Sequence, residues 1–181
     1  MTIFAAVMRW RSTLIFIFLA WLFLGQAMPA IAQSVAGNTT ALLITPITIS
    51  KNTDMNFGNL ASSSTTGGTI ILSTSGSRSI GGSGGVTLPA IIGTVSAADF
   101  TVSGQGGYGY TITLPTTVTI SDGLGHSMTI TSFTSSPSST GTLSSAGTQD
   151  LTVGGTLNVS AAQAAGSYTS SSGVSVTVNY D

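Results

Sequence analysis

An all-β fold, a sandwich of antiparallel sheets, is what this 181-residue sequence predicts, and three observations predict it. Apolar and polar side chains alternate with a two-residue period through most of the chain. β-Branched residues fill the alternating stretches, and Gly, Ser, Asn and Pro interrupt them at close spacing. Beyond the N-terminal stretch only Ser160–Ala165 has the composition of a helical turn, and it is short.

The first element lies outside the sandwich. Arg9 and Arg11 precede an apolar run from Leu14 to Leu24, and Ala30-Ile31-Ala32 stands ahead of Gln33. A basic start, a greasy run and a small-x-small exit make a secretory signal peptide over residues 1–32, cleaved after Ala32. The run stops at Gly25-Gln26, well short of the about 20 apolar residues that a membrane span needs. The expectation is therefore an exported protein of the periplasm or cell surface, with no membrane span after cleavage. What is left, residues 33–181, fits one sandwich domain. A chain of that size buries about 68–70% of its unfolded surface and needs no disulfide, and it has no cysteine.

Strands are expected in order. Thr40–Ile49 is a strand interrupted at Pro46, as suits an edge or a switch between sheets. Thr69–Leu72, Val86–Leu88, Phe100–Val102, Tyr110–Leu114, Val118–Ile120 and Met128–Phe133 follow. Leu151–Val153, Leu157–Val159 and Val174–Tyr180 complete the set. In the last of these Val174, Val176, Val178 and Tyr180 share one face, opposite Ser175, Thr177 and Asn179. Ser62–Thr66, Gly81–Gly85, Ser135–Thr140 and Ser170–Gly173 are expected to be exposed loops.

Charge narrows the function. Past residue 32 only Lys51 and Arg78 face Asp54, Asp99, Asp122, Asp150 and Asp181, a net charge of −3. Nucleic acid is excluded as a partner, because neutralising phosphates takes several Lys or Arg. A surface of Ser, Thr, Gly and Asn also lacks the charges that normally protect sheet edges, so edge pairing is a hazard or a purpose.

Several motifs resemble chemistry without its context. Gly81-Gly82-Ser83-Gly84-Gly85 fits a nucleophile elbow, with Asp99 or Asp122 and then His126 behind it, yet a strand follows where the elbow needs a helix. Gly104-x-Gly106-x-x-Gly109 spells a dinucleotide fingerprint but feeds a strand rather than a helix N-terminus. Asp122-Gly123-Leu124-Gly125-His126 is a hairpin turn. Its two potential ligands fall short of the four that a structural metal site takes. Asn38-Thr39-Thr40 and Asn158-Val159-Ser160 are glycosylation sequons by letter. Arg78 either fixes a loop by pairing with an Asp or reads a carboxylate on a partner. No catalytic, cofactor or metal residue is expected. With one His, no Cys and no Glu, acid–base pairs are scarce.

A run of short signatures resembles a secreted bacterial family, domain of unknown function 4402. They are Phe57-Gly58, Gly76-x-Arg78, Gly85-Val86-Thr87-Leu88 and Ala98-Asp99-Phe100-Thr101-Val102-Ser103-Gly104. Tyr110-Thr111-Ile112-Thr113-Leu114-Pro115, Met128, Phe133, Gly141-Thr142-Leu143 and Gly154-Gly155-Thr156-Leu157-Asn158-Val159 continue the order. Gln163-Ala164-Ala165-Gly166-x-Tyr168 and Val176-Thr177-Val178-Asn179-Tyr180 close it. The resemblance implies an immunoglobulin-like or pilin-like antiparallel β-sandwich at the surface of Gram-negative bacteria, with no assigned catalytic residues. The ending is also similar to the last strand of chaperone–usher pilus subunits. The longer gap at Ser170–Ser172 and the missing disulfide depart from those subunits.

Two functions are expected from this. The first is a non-enzymatic structural or adhesive protein, a fimbria-like subunit. It would meet a periplasmic chaperone and like subunits by strand addition through Leu42, Ile44, Ile47, Ile49, Val174, Val176, Val178 and Tyr180. In the absence of exchange, Ala41–Ile49 completes its own sandwich. The alternative is a stand-alone carbohydrate- or surface-binding module using Tyr108 and Tyr110.

Overall fold

The computed structural model describes residues 32–82 and 84–181. Apart from Ala32, the predicted signal peptide lies outside the described residues, as does Ser83. The chain divides into two units, residues 1–42 and 43–181. In the first, residues 32–42 are exposed and form no strand or helix.

The second unit is all-β, with twelve strands and no helix among the described residues. They are β1 (Thr48–Thr53), β2 (Ala61–Ser62), β3 (Gly68–Leu72), β4 (Arg78–Gly81), β5 (Val86–Thr87) and β6 (Ala98–Ser103). Then come β7 (Gly109–Thr113), β8 (Thr117–Ser121), β9 (Ser127–Ser136), β10 (Thr140–Thr142), β11 (Thr148–Val159) and β12 (Thr177–Tyr180). Every pairing is antiparallel.

The long strand β11 organises the fold. Its first half, Thr148–Val153, pairs with β6, and β1 lies beyond β6. Its second half, Gly155–Val159, pairs with β3, and β4 lies beyond β3. On its other side runs β9, followed by β8. A three-stranded sheet, β10-β7-β12, and a two-stranded one, β2-β5, complete the molecule.

Alternation along β11 fills two cores. Leu151 and Val153 join Ala98, Phe100, Val102, Tyr110, Leu143 and Val178, packed between the large sheet and the three-stranded one. Leu157 and Val159 join Phe57, Ile70, Leu72, Val86, Val118, Met128 and Ile130 in the other. Met55 and Phe133 pack against both. Phe133 gets there through a bulge. Thr134 faces Gly154 while Thr131 faces Thr156, so β9 carries one extra residue, and Ser132 adopts a positive φ of 50°. The ring then lies over Gly155, where a Cβ would press on both Phe133 and Ile130.

Several expectations are corrected. Thr40–Ile49 is not one strand, because β1 begins at Thr48 and runs on through polar Asn52 and Thr53. Pro46 has no N–H for a ladder, and Thr45 is held by side chains instead. The two strands expected at Leu151–Val153 and Leu157–Val159 are one, since Gly154-Gly155 continues the ladder rather than turning. The last strand is only Thr177–Tyr180. Ser135–Thr140, expected as loop, supplies the end of β9 and the start of β10. Ser160–Ala165 forms no helix; Ala162 takes a φ of 52° and its N–H bonds Ser63 O at 2.7 Å.

Candidate functional site

The sequence alternation at the C-terminus works as a half-buried strand should. Tyr180, Asn179, Val178 and Thr177 face Tyr110, Thr111, Ile112 and Thr113 of β7. Val178 is buried and Tyr180 half-buried, while Thr177 and Asn179 are exposed. Val174 and Val176 keep the same inward rhythm without belonging to a strand.

No strand pairs with the other edge of β12 among the described residues, and none lies beyond β1 in the large sheet. These two edges approach each other, leaving an open side above the second core. Side chains close it instead of a ladder: Ile47 and Ile49 from one direction, Val174, Val176 and Tyr180 from the other.

Polar contacts fasten this cover at one point. The Tyr180 hydroxyl donates to Thr45 O at 2.7 Å and accepts from the Gln105 N–H at 2.5 Å. Gln105 Oε1 in turn accepts from Thr45 N–H at 3.3 Å and its hydroxyl at 3.4 Å. Tyr108 packs edge-on against Tyr180, with ring centroids 5.8 Å apart and planes at 65°. Gly104 makes the arrangement possible, because any Cβ there would collide with the Tyr180 hydroxyl. Asp181 follows immediately, its N–H on Gly109 O at 3.3 Å and its side chain exposed.

Of the eight residues predicted for assembly, the structure gathers Ile47, Ile49, Val174, Val176, Val178 and Tyr180 in one place. Ile44 is half-buried close by in sequence. Leu42 is 84% exposed and does not complete the fold. Gln105 and Thr45 carry no sequence signal that would have marked them: Thr45 is one of very many Ser and Thr, and Gln105 stands in a Gly-rich stretch with no motif of its own.

Other candidates resolve differently. Tyr110 does not form an exposed platform with Tyr108. It is fully buried, its hydroxyl donates to Gln149 Oε1 at 2.8 Å, and burial pushes its phenol above the usual value. Arg78 pairs with no carboxylate. Its Nη1 donates to Phe57 O at 2.5 Å and Asn59 O at 2.7 Å, so two separated signatures meet at one guanidinium. Its Nη2 is buried without a partner. His126 Nδ1 lies 2.6 Å from Asp122 Oδ2 inside the β8–β9 hairpin, and Asp122 also accepts from the Leu124 and His126 N–H groups. Gly104, Gly106 and Gly109 lead into β7, with no helix to hold a phosphate. The Asn158 amide donates to Thr129 O and Thr131 Oγ1 within the sheet, whereas Asn38 is exposed. Among the described residues no three His, Asp or Glu side chains converge on a metal position.

One family model, Domain of unknown function (DUF4402), matches residues 47–180, from the end of the cover to Tyr180. No curated protein and no solved structure matches the chain.

Proposed function

The chain belongs to the DUF4402 family, and from that premise we propose that it is an exported, non-enzymatic structural or adhesive protein of the bacterial surface. It would be a fimbria-like subunit on an immunoglobulin- or pilin-like sandwich. One observation carries this reading: β1 and β12, each an unpaired edge of a different sheet, approach each other, and side chains rather than a ladder cover the core between them. Such an edge is a template for strand addition, in which backbone bonds supply affinity and alternate side chains supply register. The scarcity of charge favours the same outcome, because neither edge has the lysines that usually repel a neighbour apart from Lys51 on β1.

A periplasmic chaperone would hold β12 and grip the nearby Asp181 carboxylate. A like subunit would then supply the segment around Ala41–Ile49 to the same edge. The exported location rests on the signal-peptide pattern, and N-terminal sequencing of secreted material should begin at Gln33. The carbohydrate-module alternative loses its aromatic platform with the burial of Tyr110.

The test is the size of the purified chain starting at Gln33. SDS-resistant ladders that vanish on deletion of residues 33–45 are expected. A monomer that is equally stable with or without that segment would rule out strand addition and leave a self-contained surface domain.

A further inference from the structure

We propose that Tyr180, Gln105 and Thr45 form a kinetic latch, which sets how fast Leu43–Ile49 leaves the open edge without setting where it finally resides. The segment lacks the usual means of staying put. Leu43 is 97% exposed, Pro46 cannot donate to a ladder, and regular pairing starts only at Thr48. Between Leu43 and Ile47 the polar anchorage converges on Thr45. Its carbonyl takes the Tyr180 hydroxyl, and its N–H and hydroxyl share Gln105 Oε1.

The latch is built from three distant parts of the chain. Tyr180 stands 135 residues from Thr45 and Gln105 stands 60 residues from it. The Tyr180 hydroxyl is itself oriented by the Gln105 N–H, in the space that Gly104 leaves empty, and the ring is braced by Tyr108. One hydroxyl therefore ties the last strand, the β6–β7 connection and the incoming segment together.

Why the latch governs rate follows from symmetry. If the segment of a second copy occupies the edge, it meets the same Tyr180 and Gln105 and makes the same bonds. A contact equal in two states shifts no equilibrium between them. It does have to break on the way from one to the other. The part about exchange rests on the strand-addition reading above; the latch within a single chain does not.

Two variants remove the latch without removing apolar packing. Tyr180→Phe deletes the hydroxyl and keeps the ring against Tyr108, and Gln105→Ala deletes the second acceptor. In the purified chain starting at Gln33, amide hydrogen exchange at Thr45, whose N–H bonds Gln105 Oε1, should quicken roughly three- to tenfold in Tyr180→Phe, the worth of one ordinary hydrogen bond. Gln105→Ala removes the acceptor of that N–H itself and should quicken Thr45 at least as much. Exchange at Leu151 and Val153 in the core should not change. Unaltered exchange at Thr45 in Tyr180→Phe would overturn the latch. Mixing of two isotopically labelled populations supplies the second readout, with faster mixing and an unchanged final distribution expected for Tyr180→Phe. A shifted final distribution would overturn control of rate alone. Absence of any ladder would sink the assembly reading while the amide readout still decides the latch.

Discussion

Two tyrosines pack one against each core, and they are tied down over very different spans of chain. Tyr168 packs against the first core, donates to Ala164 O at 2.8 Å and accepts from Gln163 Nε2 at 2.8 Å. Every polar partner of its ring lies within five residues. Tyr180 packs against the second core with the same polar economy, one bond given and one received. Its partners, however, lie 75 and 135 residues away. The first tyrosine stitches a loop to itself, and losing it would loosen that loop. The second ties the C-terminal strand to the segment that enters the fold, so its loss is felt at the opposite end of the chain. The same side chain and the same bond count thus make a local staple in one place and a long-range clasp in the other.

The largest expected effect checks that the contrast lies in the closures and not in the cores. Tyr110→Ala in the second core should cost about 3–5 kcal/mol, and Leu157→Ala in the first about 2–5 kcal/mol. Urea unfolding measures both. A Tyr110→Ala cost under 1 kcal/mol would mean that the second core is loose and the clasp incidental.

Next in size is Arg78→Ala. The first core has a medium-range tie of its own in the guanidinium bonds to Phe57 and Asn59. Charge-assisted bonds to carbonyls that are otherwise left bare should make this loss about 2–3 kcal/mol. Arg78→Lys should rescue only part of it, because the lysine side chain is one atom shorter and its ammonium falls short of the place where Nη1 meets both carbonyls. Full rescue in the same urea assay would show that charge, not geometry, is what the loop needs.

Smaller still, Tyr168→Phe should cost about 1 kcal/mol, with faster amide exchange confined to residues 163–169. Any quickening at Thr45 in that variant would erase the distinction between the two tyrosines.

The smallest effect concerns acid. Asp122 loses some solvation by burial, which favours its neutral form. The N–H of Leu124, the His126 ring, the N–H of His126 and the charge of that ring outweigh this and hold its carboxyl below 3.8. A carboxylate with a depressed value stabilises the fold at pH above its unfolded value, and that contribution fades as pH falls through the folded one. The urea midpoint should therefore decline as pH falls from about 4 through the carboxylate range. Asp122→Asn should flatten this decline. An equal decline in the variant would assign the acid sensitivity to other carboxylates.

Much of the fold was legible because burial and alternation coincide. Val174, Val176 and Val178 point inward as their spacing demands, and Asp122-Gly123 turns the β8–β9 hairpin as expected. What the pattern concealed has physical reasons. The strand β1, Thr-Ile-Ser-Lys-Asn-Thr, is an edge with no strand paired beyond it, so it carries one inward apolar side chain, Ile49. Gly154-Gly155 looks like a turn, yet the bulge at Ser132 sends Phe133 across to cover the bare backbone, and the ladder continues. Arg78 ties a loop, but through the carbonyls of Phe57 and Asn59 and not the carboxylate expected, because no letter code marks a carbonyl acceptor. The edge residues around Tyr180 were foreseen from alternation, while Gln105 and Thr45 became visible only through distances.

The strand β11 sets a timetable. Both cores need it, and it lies at residues 148–159 of 181. Its pairing of Leu157 with Ile70 must wait for the 86 residues between them, and such distant pairings make folding slow. A chain emerging from the ribosome therefore has neither core to close until β11 has been made. If the chain is exported as an open thread, as proposed above, that delay would keep it threadable.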